Sequence, residues 1–200
     1  MKLICLFLFL IQLGFPICQN LNSLILSEAY FIEGGGYVWD GTGVPVDLHV
    51  DEKVFMKKSD TGSFCSGFTL FTVFNALKKS HKLALSVQND FYDFYRTWYG
   101  IPPESKETQC LHTLKKYRIG HAVSINEALP GDIVQFWRNN KTGHSVVFLS
   151  WDLDAFGRIS GMNYRSSQKS TFGIGDRCED IGSGKEDINI QRIYIGRLDN

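Results

Sequence analysis

The chain has 200 residues, of which 44% are hydrophobic, 21% charged and 14% aromatic. This composition is typical of one globular domain with a well-buried core, and it disfavours disorder, collagen-like repeats and a multidomain assembly. Lysine plus arginine and aspartate plus glutamate both number 21, so the formal net charge is zero. Without a basic excess, the chain lacks the electrostatic signature of a nucleic-acid-binding protein.

The first segment predicts a secretory signal peptide. Lys2 is followed by an apolar run that starts at Leu3, and the run is closed by Pro16. The run is shorter than the ~20 residues of a membrane-spanning helix, so we expect no stable membrane span after cleavage. We expect a signal peptide over residues 1–18 and a secreted or periplasmic protein. A lipid anchor at Cys18 is less favoured, because no small residue precedes it.

The mature chain begins with a segment for which we expect irregular structure or short strands. Residues 21–50 contain the glycine run 34–36 and further turn-forming residues, which favour loops over helices. Three helices are predicted next from apolar residues at helical spacing, and a Pro-Pro pair ends the second. They cover residues 66–79, 85–98 and about 104–117.

Strands dominate the remainder of the chain. Apolar, β-branched and aromatic runs bounded by turns predict strands over residues 132–137, 144–151, 158–165 and 188–198. Helices followed by antiparallel strands predict an α+β fold in which N-terminal helices pack on an antiparallel sheet. Without repeats or linkers, we expect one domain over residues 19–200, with its core from about residue 60.

Cys65 is the first candidate catalytic residue. It stands where a polar, glycine-containing loop becomes a helix, and a helix N-terminus favours a thiolate over a thiol. The backbone amides of Cys65 and Ser66 could also stabilise an oxyanion on an attacked carbonyl. The alternative is a buried structural cysteine.

His144 is the candidate general base, because Gly143 precedes it and an apolar strand follows. A satisfied structural histidine is the alternative. A third group must hold the imidazole in its productive tautomer, and Asn163 on the next strand is the first choice. The short turn between the strands suggests neighbouring side chains, although a solvent-facing asparagine is an equal alternative. Ser166 and Gln168 are held in reserve.

Four segments in order resemble a known group of enzymes. FCSGFTLF, LPGDIVQFW, GHSVVFLSW and the SGMNY strand are similar to successive blocks of the NlpC/P60 and CHAP cysteine peptidases and amidases. The resemblance covers residues 60–168 and implies a papain-like fold. It also implies that Cys65 is the nucleophile, His144 the base and Asn163 the orienting residue.

The sequence departs from that group at two positions. Gly161 stands where CHAP enzymes usually carry a glutamate, and Phe64 stands where the NlpC/P60 enzymes usually have an aspartate. By resemblance we expect an exported hydrolase that cleaves an amide bond in peptidoglycan peptides, or in another peptide substrate, by a Cys-His-Asn mechanism. The sequence does not indicate whether an inhibitor protein binds it.

Two other classes of function stay open. One is a glycan- or protein-binding module on the same fold, with the aromatic residues of 91–99, Trp137 and Trp151 lining a groove. The other is a thiol acyltransferase, which shares the first half-reaction with a hydrolase.

The remaining cysteines do not suggest a metal site. Cys110 and Cys178 could form a disulfide in an oxidising compartment, or both could be free thiols. No histidine, cysteine or carboxylate pair has the spacing of metal ligands, so we expect no metal and no cofactor.

Overall fold

A seven-stranded antiparallel sheet is the centre of the computed structural model, which describes residues 20–200. The predicted signal peptide, with Cys5 and Cys18, lies outside the described residues. The helices are α1 (Leu21–Ala29), α2 (Cys65–Lys79), α3 (Leu85–Asn89), α4 (Phe91–Trp98) and α5 (Gln109–Lys116). The strands are β1 (Gly34–Gly35), β2 (Leu48–Val50), β3 (Lys53–Met56), β4 (Gly120–Val123), β5 (Ile133–Arg138), β6 (Gly143–Leu153), β7 (Ile159–Gln168), β8 (Gly173–Asp180) and β9 (Ile188–Leu198).

The order of strands in the main sheet is β1-β8-β7-β6-β5-β9-β4, and β2 and β3 form a separate hairpin. Side chains alternate between the faces of a strand, so neighbouring residues of β6 enter different apolar clusters. Val147 packs with the helices in the larger cluster, whereas Val146 joins a smaller cluster on the other face. The α+β architecture with helices on an antiparallel sheet is therefore confirmed.

The prediction for residues 21–50 was wrong at its start, where α1 forms. Asn20 caps this helix by accepting a hydrogen bond from the Asn22 amide, and Leu21, Leu24 and Ile25 give it a buried face. The apolar spacing was visible in the sequence. It was obscured by the glycine-rich segment that follows within the same window.

The helix boundaries and the number of strands also differ from the predictions. Asp90 separates the predicted second helix into α3 and α4, and the third begins at Gln109 instead of near residue 104. Strands β4 and β8 were not predicted. The glycine of β4 and the glycines and charged residues of β8 are disfavoured in strands, and pairing with β9 and β7 outweighs that preference.

Close glycine contacts seat the N-terminus of α2 against the segment before it. A Cβ atom on Gly67 would lie 2.2 Å from the backbone of Gly43, which has a φ of +65°. Only glycine allows this approach. A hydrogen bond of 2.8 Å between the Ser63 and Ser167 hydroxyls ties the loop before α2 to β7. The first residue of α2 is thus fixed relative to the sheet.

Asp132, at the start of β5, joins three parts of the chain. Its buried carboxylate accepts hydrogen bonds from the Asn22 side chain, the Leu129 amide and the Arg197 guanidinium. Because all its partners are donors, the carboxylate is satisfied without water. Asp132 therefore links α1 and β9 to the start of β5.

Candidate active site

Cys65 and His144 line one pocket, as the sequence predicted for a nucleophile and its base. The pocket has a volume of about 190 Å³, and we call it the thiol pocket. It lies where the N-terminus of α2 meets the start of β6. Other residues that line it include Trp39, Ser66, Gln109 and Trp137.

Cys65 is the first residue of α2, and His144 is the second residue of β6. The backbone N–H groups of Ser145, the residue after His144, and of Ser66 favour the thiolate of Cys65 and partly oppose the effect of burial on its pKa. The Ser66 hydroxyl lies 3.9 Å from the same sulfur. Two amides and a hydroxyl therefore surround Cys65, and these groups can stabilise negative charge that forms there. The Ser66 amide belongs to the predicted oxyanion-binding pair.

Burial changes the protonation expected for Cys65. Cys65 is only 4% exposed. Burial raises the pKa of its thiol above the ordinary value, despite the opposite effect of the Ser145 and Ser66 amides. The prediction that the helix N-terminus lowers this pKa was wrong. Desolvation disfavours the thiolate more than the amides stabilise it. Cys65 is a neutral thiol at pH 7.

His144 is also neutral at pH 7. Its residue is 7% exposed, and its ring packs edge-on against Phe136 and Tyr164, with centroid distances of 5.7 and 5.5 Å. Burial lowers the pKa of His144 to about 4, and the positive charge of Arg138 contributes to the decrease. A neutral imidazole has one nitrogen free to accept a proton.

Gln168 determines which nitrogen that is. The Gln168 amide nitrogen donates to the Thr171 hydroxyl (2.8 Å) and to the Gly175 carbonyl (3.2 Å), so its oxygen faces the histidine. This oxygen lies 3.2 Å from Nε2 of His144. Nε2 must therefore carry the proton and donate it, which leaves Nδ1 as the basic nitrogen.

Asn163 does not orient His144, contrary to the first choice from the sequence. Its amide donates to the Asp152 carboxylate (2.6 Å) and to the Ser150 hydroxyl (3.2 Å). Asn163 pairs with Ser150, six residues along β6 from His144 and thus about 20 Å away. The β6–β7 register places Gln168, a reserve candidate, beside His144.

Ser166, the other reserve candidate, has a structural role. Its hydroxyl is buried and donates to the Ser145 carbonyl at 2.7 Å, which fastens β7 to β6. Because the hydroxyl is used in this bond, Ser166 does not hold the imidazole. Its hydrogen bond holds β7 against β6 at Ser145, a residue that lines the thiol pocket.

A group of polar side chains in the thiol pocket was not predicted. The Ser145 hydroxyl lies 2.5 Å from the Gln135 side-chain oxygen and 3.3 Å from that of Gln109. Gln135 was detectable as the single polar residue of the strand segment Ile-Val-Gln-Phe-Trp. Gln109 had no such signal, because it begins a short helix with an unusual φ of +28°.

Cys110 and Cys178 are both free thiols and do not form the disulfide that was one of the two alternatives. Cys110 is buried in the core on α5, and burial raises its pKa to about 12. Cys178 is exposed on β8, where its thiol donates to the Asp152 carboxylate at 2.9 Å. One cysteine is inside and the other outside, which explains why they do not meet.

Part of the aromatic set predicted to line a binding groove is buried. Phe91, Phe94 and Trp98 are buried in the core, and the Trp151 indole donates to the Ile125 carbonyl. Of that predicted set, Trp137 lines the thiol pocket.

Residues 20–200 contain no group of three or more histidine, cysteine or acidic side chains placed to hold a metal ion. Within the same residues, no helix has the length and apolar character needed to cross a membrane. Comparison of the chain with protein-family models, with curated proteins and with solved structures gives no match.

Proposed function

We propose that the protein is a cysteine hydrolase that cleaves an amide bond. Cys65 is the nucleophile, His144 the general base and Gln168 the positioning residue. The observation that carries the proposal is that Cys65 and His144 line the same pocket, where the Gln168 side-chain oxygen lies 3.2 Å from Nε2 of His144. A thiol and an oriented imidazole are the two groups that nucleophilic catalysis by cysteine uses.

The reaction proceeds in two half-reactions. The Cys65 sulfur forms a bond to the amide carbonyl carbon while its proton passes to Nδ1 of His144. The C–N bond then breaks, and His144 returns the proton to the leaving amine. Water attacks the resulting thioester, its proton again goes to His144, and the Cys65 thiol is regenerated with release of a carboxylic acid.

Because both groups rest in their neutral forms, His144 removes the thiol proton as the sulfur attacks. Burial raises the pKa of Cys65 and lowers that of His144, which disfavours a resting thiolate-imidazolium pair. The Ser66 amide, at the N-terminus of α2, supplies a donor for the oxyanion.

For the fold and substrate, we favour a papain-like enzyme of the NlpC/P60 and CHAP type that acts on peptidoglycan peptides after export. The support is the order of four sequence segments, together with a cysteine at the start of a helix that packs on an antiparallel sheet. The departures at Gly161 and Phe64 leave the bond that is cleaved undefined.

Cys65→Ala tests the proposal. We expect release of muropeptides from purified peptidoglycan to fall by about 1,000-fold or more, since alanine has no thiol to attack the amide carbonyl. Chromatography with mass spectrometry measures the products, and thermal unfolding checks that the variant is folded. Cys178→Ala is the matched control and should keep wild-type activity. Equal activity of Cys65→Ala and wild type would exclude the mechanism.

A binding module is the second candidate function, and one observation favours it. Trp39 is 69% exposed at the rim of the thiol pocket and packs on Phe64 with a centroid distance of 4.9 Å, which resembles a platform for a ligand. If this function is correct, Trp39→Ala abolishes binding of peptidoglycan fragments, and the wild-type protein releases no product. Transfer of the acyl group to an added amine would instead identify an acyltransferase.

A further inference from the structure

A second pocket adjoins the thiol pocket and shares the Trp137 side chain as a wall. Its volume is about 440 Å³. Pro103 and Glu107 lie on one side, and three cationic residues complete the lining: Lys106, Lys141 and Arg192. We call it the cationic pocket.

The cationic pocket has an excess of positive charge. Glu107 is its one carboxylate, and this group is occupied: it accepts two hydrogen bonds from Arg192 (2.9 and 2.7 Å) and one from Tyr194 (2.9 Å). Lys106 and Lys141 are exposed, and neither forms a salt bridge within residues 20–200. Two cations with no acidic partner therefore face the same space, on a chain whose formal net charge is zero.

Trp137 is held in a fixed position between the two pockets. Its indole N–H donates to the Glu107 carbonyl at 2.9 Å, and the Arg192 guanidinium lies 4.9 Å from the ring centroid. A Cβ atom on Gly143 would lie 2.9 Å from the ring, so glycine before His144 makes room for the indole. A ligand in the cationic pocket would thus be separated by the Trp137 side chain from the pocket that His144 lines.

We propose that the cationic pocket binds a carboxylate-bearing segment of the amide substrate. Lys106 and Lys141 pair with the carboxylate, while Trp137 packs against the chain that connects it to the bond in the thiol pocket. The ligand class follows from the charge, since unpaired lysines beside an aromatic wall attract an anionic group with an apolar stem. The identification of this ligand as substrate rests on the function proposed above.

Binding to the inactive Cys65→Ala protein tests the pocket without requiring hydrolysis. The probes are the acetylated, amidated tripeptides Ala-Glu-Ala and Ala-Gln-Ala, measured by NMR titration at low ionic strength. We expect the glutamate peptide to bind about tenfold more tightly than the glutamine peptide, with the difference reduced by salt. Shifts should centre on the Trp137 indole.

Removing both lysines should abolish the preference. The double variant is Lys106→Gln with Lys141→Asn, because Lys141 has a φ of +69° and asparagine tolerates this left-handed conformation. Lys58→Gln, on an exposed lysine outside both pockets, is the matched control and should retain the preference. Circular dichroism confirms that each variant is folded.

The outcomes separate this proposal from the catalytic one. Equal affinity for the two peptides, no binding of either, or an unchanged preference in the double variant overturns the cationic pocket, even if Cys65 is catalytic. A charge preference lost only in the double variant supports the pocket, even if the wild-type protein hydrolyses no peptidoglycan.

Discussion

The hairpin of β6 and β7 carries a polar cluster at each end, and the two clusters differ in burial. At the open end, the buried His144 is paired with Gln168 and lines the same pocket as the Cys65 thiol. Near the turn, Asp152 accepts hydrogen bonds from Asn163 and Cys178 at the surface. Each cluster contains a thiol and a side-chain amide, but a histidine is present only at the open end.

The comparison shows that polar neighbours of a cysteine can either disfavour or stabilise its thiolate. At the turn, the Asp152 carboxylate raises the pKa of Cys178 to about 11, because negative charge and a hydrogen bond to the thiol disfavour the thiolate. At the open end, the neighbours of Cys65 are hydrogen-bond donors that stabilise a thiolate once the proton has moved. In the proposed mechanism, His144 accepts that proton.

Acidification should destabilise the protein, because the buried His144 at the open end must then take up a proton. His144 has a pKa of about 4 when folded and about 6.5 when unfolded, so the unfolded state binds more protons between these values. The contribution of His144 to the free energy of unfolding is therefore fully present above pH 6.5 and is lost as the pH falls towards 4. We expect a loss of about 2 to 3 kcal/mol between pH 7 and 4.5, measured by urea unfolding.

The matched pair for this measurement is His144→Gln and His49→Gln. The first variant removes the titrating ring and should therefore lack the acid-induced loss of about 2 to 3 kcal/mol that His144 causes in the wild type. His49 is exposed on β2, and its replacement should leave the wild-type pH dependence. Identical pH profiles for wild type and His144→Gln would show that the imidazole is not buried in its neutral form.

Replacing the amides at the two ends should have unequal effects on hydrolysis. Gln168→Ala frees the imidazole to rotate and change tautomer, so we expect kcat for the peptidoglycan peptide to fall about 10- to 100-fold with little change in KM. Asn163→Ala removes contacts only with Asp152 and Ser150 and should change kcat less than about twofold.

A nitrogen-15 NMR spectrum of the imidazole supplies a readout that a purely structural role of Gln168 would not move. Wild type should have the proton on Nε2 of His144, and Gln168→Ala should populate both tautomers. If Asn163→Ala shifted the tautomer and Gln168→Ala did not, the assignment of the positioning residue would be reversed.

Much of the fold was predictable, because local signals agreed with the tertiary structure. The buried helix α2 and the strands β5, β6, β7 and β9 follow from apolar spacing in the sequence. Strand β8 does not, since its glycines and charges are favourable only where β7 and β1 pair with it. The break at Asp90 was missed because apolar residues at helical spacing, Val87, Phe91 and Phe94, continue across it.

Two residues of the candidate site were predictable from the sequence, but the partner of His144 was not, because it depends on the register of the β6–β7 hairpin. Cys65 and His144 are marked by the helix and strand they begin, whereas the partner of His144 depends on where β6 turns into β7. The eleven-residue β6 places that turn far from His144, so its neighbour is near the end of β7. The raised pKa of Cys65 was also unpredictable, since it depends on burial by residues distant in sequence.

The smallest expected effect concerns the thiol at the turn. Asp152→Asn removes the negative charge that raises the pKa of Cys178, so more thiolate forms at neutral pH. We expect iodoacetamide to modify Cys178 about tenfold faster in this variant, because the gain in thiolate exceeds the loss of nucleophilicity that accompanies a lower pKa. Peptide mass spectrometry measures the rate at each cysteine. Cys65 should be modified at its wild-type rate, since burial and not Asp152 controls its pKa. Equal acceleration at Cys65 and Cys178 would indicate general loosening of the sheet, and an unchanged rate at Cys178 would contradict its pairing with Asp152.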